Sequence, residues 1–243
     1  MVLSEISFAI SKGSFTAIIG ANGAGKSTLL KCTGGLTECS GEISLCGHDL
    51  RSMSARQRAR CVAWLHQGVL SDIPYTVRQF AMLSRFPRRP VLSGETAEDL
   101  TVVDAALKKT GADKYAGRYL STLSGGERQR ALLAAALAQE TEILFLDEPA
   151  SFLDYSSQAE MLALVETTGS EGKTILMVTH DINMALGSAE HLIALKNGHI
   201  IWQGSTNAFP ASELLPRLFS TEFTALQDPS QSRPYFIPKG LIR

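Results

Sequence analysis

The residues best suited to chemistry lie together near the start of the chain. Gly20 to Thr28 reads GANGAGKST, and Gly20, Gly25, Lys26 and Ser27 fit the spacing G-x-x-x-x-G-K-[ST] of a phosphate-binding loop. Each type has a reason to be there. Gly23 and Gly25 can take backbone angles closed to other residues, so successive amides can turn toward one anion. Asn22 and Thr28 complete the same loop. Lys26 brings a cation to β- and γ-phosphates, and Ser27 offers a hydroxyl to Mg²⁺. A helix starting at this point adds free N–H donors and a dipole that favours negative charge by about 0.3–1 kcal/mol when exposed. The pattern implies a nucleoside triphosphate with Mg²⁺ and leaves open how its energy is used.

Three further stations follow apolar runs. Gln67 comes after CVAWLH, Asp147-Glu148 after EILFL, and His180 after TILMVT. In parallel α/β sheets ligands gather at the carboxyl ends of the strands, so these stations and the phosphate loop are expected to meet at one γ-phosphate. Asp147 would hold Mg²⁺ through water. Glu148 would face the attacking water as general base, a role worth about 10²–10⁴ in rate. Taken alone, the two carboxylates read equally well as a solvated strand end, and a lone strand-end histidine as structural. Another stretch, Leu123 to Arg130, reads LSGGERQR. Ser124, Gly125 and Gly126 precede a helix and form a second amide-rich helix start suited to an anion. A plain serine N-cap explains the same residues, and a second cradle is needed only for a different nucleotide.

The elements that must position these groups follow from patterning. The 243 residues are 44% hydrophobic and 19% charged with a net charge of −1, which suits one α/β core carrying a subdomain. There is no basic footprint for nucleic acid. No apolar run nears the ~20 residues of a membrane span, and the first residues lack a signal-peptide pattern, so residence in the cytoplasm is the default. Cys32, Cys39, Cys46 and Cys61 form no C-x-x-C pair, and Cys46 with His48 lacks a second pair of metal ligands. Residues 2–10 alternate and predict a strand. Strands are also predicted at 15–20, 41–46, 61–66, 142–146 and 174–178, and helices from Lys26, over 52–60, 127–139, 157–167 and 182–188. Asn197-Gly198 predicts a hairpin between 192–195 and 199–202. Between about 68 and 120 the reading turns helical, a subdomain inserted in a nucleotide-binding core of 1–67 and 121–205. Residues 206–243, rich in proline, predict a looser appendage.

In order and spacing these motifs resemble those of the ATP-binding cassette (ABC) ATPases. Gly20 to Thr28 resembles the Walker A loop, Gln67 the Q-loop glutamine, LSGGERQR the signature motif and ILFLDEP (143–149) the Walker B strand. Ser151-Phe152-Leu153-Asp154 resembles the D-loop, and His180 in VTHD the switch histidine. The resemblance implies a P-loop NTPase core with a mixed, mainly parallel sheet, a small antiparallel β subdomain and an inserted helical subdomain. It implies a head-to-tail dimer in which Ser124 to Gly126 of one copy closes on ATP held by the other, with Asp154 at the same junction. It gives Gln67 a metal-sensing role and His180 a contact with the γ-phosphate.

Softer matches point to importers of iron–siderophores, haem and cobalamin. They are Thr76-Val77-Arg78 with Leu83 to Pro87, Leu153 to Leu162 with Gln158, Glu160 and Leu162, and a tail with Leu218-Phe219 and Pro-Tyr-Phe-Ile-Pro. The resemblance then implies integral-membrane permeases contacting about Gln67 to Arg89 at the cytoplasmic face of the cell membrane. A periplasmic or surface substrate-binding protein would act indirectly. Arg85, Arg88 and Arg89 would face acidic residues or lipid head groups, or form a solvated basic turn. Rival readings are an importer ATPase for another cargo, a non-transport ABC ATPase acting on DNA or ribosomes, and a degenerate cassette. The family's adenine-stacking aromatic lies upstream of where this sequence begins, and Phe8 and Phe15 read as core. A different residue stacks, the sequence starts inside a longer protein, or affinity is low.

Overall fold

The computed structural model describes residues 2–66, 74–90, 93–227 and 233–239. In chain order its elements are β1 (Phe15–Ile19), α1 (Lys26–Thr33), β2 (Ser44–Leu45), β3 (His48–Asp49), α2 (Ala55–Cys61), β4 (Val62–Leu65), α3 (Val77–Leu83), α4 (Ala97–Thr110) and α5 (Gly125–Ala138). They continue with β5 (Ile143–Asp147), α6 (Tyr155–Ser170), β6 (Thr174–Thr179), α7 (Ile182–Ser188), β7 (His191–Lys196), β8 (His199–Ser205), α8 (Ala211–Phe219), β9 (Phe223–Leu226) and β10 (Tyr235–Pro238).

Six strands form the main sheet in the order β4-β5-β6-β1-β7-β8. The first five run parallel, and β8 returns antiparallel. Continuous apolar runs such as FTAII and TILMVT are buried on both faces, as parallel strands covered by helices require. The period of two sorts their side chains. Ala17, Ile19, Leu144, Leu146, Ile175 and Met177 face one core with Leu133, Met161, Val165 and Leu186. Ile18, Phe145, Leu176 and Val178 face a second core with Leu29, Leu30 and Leu50. A third cluster joins α3 and α4 to α5 through Val77, Ala81, Val103, Leu107, Ala131 and Ala135. Capping boxes start α3 (Thr76, Gln79), α4 (Thr96, Asp99) and α5 (Ser124, Glu127).

Three expectations change. Residues 2–10 form no strand. Leu3, Ile6, Phe8 and Ile10 are half-buried against the second core, so the alternation reports a buried face. A cleft of about 800 Å³ lies between this segment and 37–46. The tail is less loose than its prolines suggest. Helix α8 buries Leu214, Leu215 and Leu218 in the main core, and β9 pairs with β10. Asn183 of α7 donates through Nδ2 to Phe236 O at 3.0 Å and accepts from Phe236 N at 2.8 Å, which docks that hairpin.

In the basic turn after α3, Arg85 and Arg89 point inward while Arg88 stays exposed. The Arg85 side chain is 3% exposed. Its Nε donates to Asp99 Oδ1 at 2.9 Å, and its Nη1 to Ala138 O at 2.7 Å and Glu140 Oε2 at 2.6 Å. Arg88 Nε donates to Gln139 O at 2.9 Å. Arg89 Nε lies 3.0 Å from Asp99 Oδ2 without the alignment of a hydrogen bond. The acidic partners of these arginines therefore belong to the same chain, and the cluster ties the α3–α4 layer to the end of α5. A lipid-facing or fully solvated basic turn is excluded for Arg85, because a guanidinium is buried only with its charge and donors matched.

Candidate nucleotide site

The sheet order explains how residues far apart in sequence converge. Strands β5, β6 and β1 are consecutive neighbours, so the turns at their carboxyl ends lie side by side. Those turns carry Asp147-Glu148, His180 and the Gly20–Thr28 loop. Strand β4 is the next neighbour, but Gln67 beyond it lies outside the described residues.

The phosphate loop is shaped by close packing. A Cβ on Gly20 would sit 2.2 Å from Leu195 O. Gly25 has φ 103°, a region that side chains avoid, and caps α1. Gly198 N donates to Ala24 O at 3.0 Å, so the β7–β8 turn braces the loop from behind. Lys26 is buried, and its Nζ donates to Gly20 O at 2.7 Å and Ala21 O at 3.1 Å. Burial pushes its pKa down, against the opposing pull of Glu148 and Asp147. Its ammonium is thus tied to the carbonyls at the head of the loop, within electrostatic reach of both carboxylates. Asn22 and Gly23 are exposed at the loop's outer turn, and Thr28 is half-buried in the first turn of α1.

Two pairings form the chemical centre. Ser27 Oγ donates to Asp147 Oδ1 at 2.9 Å. A hydroxyl and a carboxylate held together are hard oxygen donors of the kind that Mg²⁺ takes beside phosphate oxygens, so the residues fit that ion. His180 Nδ1 lies 3.1 Å from Glu148 Oε1. Glu148 resists its burial because Ser151 and His180 hydrogen-bond to it and Lys26 lies nearby, and its pKa falls below the ordinary range. It is therefore ionised at neutral pH, as a base must be. Ser151 Oγ donates to its other oxygen, Oε2, at 2.7 Å.

Ser124, Gly125, Gly126 and Asp154 gather elsewhere. A Cβ on Gly125 would meet Leu153 and one on Gly126 would meet Ser157, neither of them in the phosphate loop. Ser124 caps α5: its Oγ accepts from Glu127 N at 3.3 Å, and its own N donates to Glu127 Oε2 at 2.9 Å. The capping and anion-binding readings are compatible, since a hydroxyl that accepts here can still donate its proton. Asp154 caps α6 by accepting from Ser157 N and Oγ, each at 2.9 Å. Beside it Phe152 and Tyr155 are 94% and 91% exposed.

Two residues outside the sequence-based site set bear on Glu148. They are Ser151, through the hydroxyl contact, and Gln129, whose Nε2 donates to Pro149 O at 2.9 Å. A serine three positions after a strand-end glutamate is a signal that an i, i+3 turn search could find. The Gln129 contact spans two elements and leaves none.

Fold and site together define a P-loop cassette: a phosphate loop, a paired carboxylate strand end and a strand-end histidine on neighbouring strands, with a second anion-ready helix start set apart. The ABC transporter family model matches residues 3–151. The chain belongs to that family. It is 37% identical to the ferric enterobactin transport ATP-binding protein of Escherichia coli, over 98% of this chain and 89% of that protein. It is 36% identical to the iron(3+)-hydroxamate import ATP-binding protein of Bacillus subtilis, over 100% of this chain and 91% of that protein. A solved structure described as an inward-facing metal-chelate type ABC transporter superposes with a TM-score of 0.83 at 26% identity, covering 97% of this chain and 90% of that one. The bacterial ABC transporter cassette MJ0796, solved as a dimer, gives 0.76 at 29% identity over 86% and 92%.

Proposed function

We propose that this chain is the ATP-hydrolysing subunit of an ABC importer that takes up a ferric siderophore or a related chelate such as haem or a corrinoid. The observation that carries the chemistry is the Glu148–His180 pair at 3.1 Å beside the Ser27–Asp147 pair at 2.9 Å. The relatives that serve ferric enterobactin transport and iron(3+)-hydroxamate import support the cargo class. A cobalamin import ATP-binding protein of Halobacterium salinarum, 34% identical over 92% of this chain and 55% of that protein, keeps the corrinoid within it.

In this reading the amides of Gly20 to Thr28 and the Lys26 ammonium hold the phosphates. Ser27 and Asp147 would hold Mg²⁺, with Gln67 as a further ligand, and the ion when bound neutralises phosphate charge. Glu148 takes a proton from water as its oxygen bonds to the γ-phosphorus and the bond to the β–γ bridging oxygen breaks. His180, fixed by Glu148, donates to a γ-phosphate oxygen. The products are ADP and phosphate. Ser124, Gly125 and Gly126 of a second copy complete each site, and Asp154 with the exposed Phe152 and Tyr155 lies in that contact. The dimeric cassette among the structural neighbours supports this arrangement.

Permease subunits dock on the segment from Gln67 to Arg89. Leu83 and Phe86 are exposed there, and Arg56 and Arg60 each hold Pro87 O through Nε, at 2.9 and 2.8 Å, which fixes the turn. In this reading the chain sits peripherally at the cytoplasmic face, held by those permeases; among the described residues no helix is long and apolar enough to cross a membrane.

Glu148→Gln tests the chemistry. Hydrolysis should fall about 10²- to 10⁴-fold while MgATP still binds, and sedimentation should show an ATP-bound dimer. Hydrolysis at the native rate would remove Glu148 as base. Purification with nucleic acid instead of a membrane permease would favour a non-transport role.

A further inference from the structure

The turn that follows β5 is unusual in its backbone. Glu148 has φ 50° and Phe152 has φ 63°, both in the left-handed region and neither a glycine. Such positions are strained and persist where surroundings hold them. Two contacts do so: Ser151 N donates to Glu148 O at 3.2 Å, and Gln129 Nε2 donates to Pro149 O.

A left-handed backbone at Glu148 turns its side chain out of the strand direction, and a glutamate has three rotatable bonds to lose. Both carboxylate oxygens are nonetheless engaged, Oε1 by His180 Nδ1 and Oε2 by Ser151 Oγ. Two partners on opposite oxygens fix the plane of the carboxylate as well as its position. The hydroxyl contact, at 2.7 Å to a charged acceptor, has the length of a strong charge-assisted bond. Capping does not account for the serine, because α6 is capped by Asp154.

We propose that Ser151 is a positioning residue for Glu148, its hydroxyl clasping one carboxylate oxygen so that the base is presented to water with the other. The proposal rests on the reading of Glu148 as general base. In this role Ser151 acts through the glutamate, to which its hydroxyl donates. Losing the clasp should therefore slow the chemical step and leave nucleotide binding alone.

The test compares Ser151→Thr with Ser151→Val in the full chain, since the two side chains share a shape and differ in the hydroxyl. Steady-state hydrolysis of MgATP is measured for both, with Glu148→Gln beside them. The expected result is a kcat for Ser151→Val about 10- to 100-fold below native, the scale of small misplacements of a reacting group. KM for MgATP should stay within about twofold, and Ser151→Thr should keep most of the native kcat. Native turnover by Ser151→Val overturns the proposal. So does an equal loss in both variants, which assigns the effect to volume, and so does a raised KM at unchanged kcat. If Glu148→Gln itself hydrolyses ATP at the native rate, the base reading fails. If Glu148→Gln is inactive while Ser151→Val is native-like, the positioning role fails alone.

Discussion

Asp99→Asn tests whether the buried arginine cluster fastens the α3–α4 layer. The substitution keeps the shape and removes the charge. Native Asp99 is 4% exposed and serves two sets of donors. Oδ1 accepts from Arg85 Nε at 2.9 Å, while Oδ2 accepts from Thr96 N at 3.1 Å and Thr96 Oγ1 at 2.9 Å. Asparagine has one acceptor oxygen and can satisfy one set, turning its amide hydrogens toward the other. The buried guanidinium of Arg85 keeps Glu140, which is half exposed, as its remaining acidic partner. Breaking a buried ion pair by removing one member costs about 3–5 kcal/mol, and a chain of this size loses about 2–4 °C of Tm per kcal/mol. Thermal melts followed by circular dichroism should fall by about 6–20 °C at pH 7. Hydrogen exchange of α4 amides should rise first. Acid gives a second check. Burial opposes the charge, but hydrogen bonds from Arg85 and Thr96 and the Arg89 charge outweigh it and push Asp99 down to about 2 in the folded chain from an ordinary 3.8. A depressed carboxyl stabilises the fold fully above its unfolded pKa and loses that contribution as pH falls through the folded one. The gap between native and variant melts should therefore narrow as pH drops from about 4 toward about 2. A variant within 1–2 °C of native at pH 7, well below the cost expected for a broken buried pair, would refute the role given to the cluster.

Two further substitutions probe the start of α5 and the exposed aromatics. Gly126→Ala places a Cβ 2.5 Å from Ser157 Oγ and 3.0 Å from Ser157 Cβ, an overpacking worth about 1–3 kcal/mol. Ser157→Gly in the same chain should recover most of it, and a coupling below about 0.5 kcal/mol in a denaturation double-mutant cycle would refute the steric account. Phe152→Ala with Tyr155→Ala should leave the monomer's melt unchanged. In a Glu148→Gln background it should weaken the ATP-bound dimer about tenfold or more by sedimentation, as loss of interface aromatics does. Unaltered dimer affinity would take these side chains out of the contact.

How much of this could be read from sequence depends on the range of each interaction. The Gly20–Thr28 loop and the strand-end carboxylates are local patterns, and β1 and β5 begin and end within a residue or two of where their apolar runs do. Convergence of the phosphate loop, Asp147-Glu148 and His180 was also legible, because a parallel sheet places strand ends together whatever the connecting helices. Alternation in residues 2–10 misled because a period of two reports which face is buried and says nothing of a pairing partner. Proline content misled in the tail because α8 draws its order from Leu214, Leu215 and Leu218 packing on the main core, a tertiary effect that composition does not carry.

The arginine turn teaches the sharper lesson. Arg85, Arg88 and Arg89 are indistinguishable in sequence from a solvated basic run, because their partners Asp99 and Glu140 lie on other elements. The same long-range step separates the two halves of the nucleotide machinery. Within one chain Ser27 meets Asp147 and Glu148 meets His180, while Ser124 to Gly126 packs beside Leu153 and Ser157. Gln129 bridges the two halves by holding Pro149 O, one residue past Glu148. The helix that carries the anion-ready start is thus mechanically joined to the turn that carries Glu148. In the proposed dimer a second copy closing on Ser124 would meet the helix whose Gln129 also holds the turn after Glu148, so one helix serves both contacts.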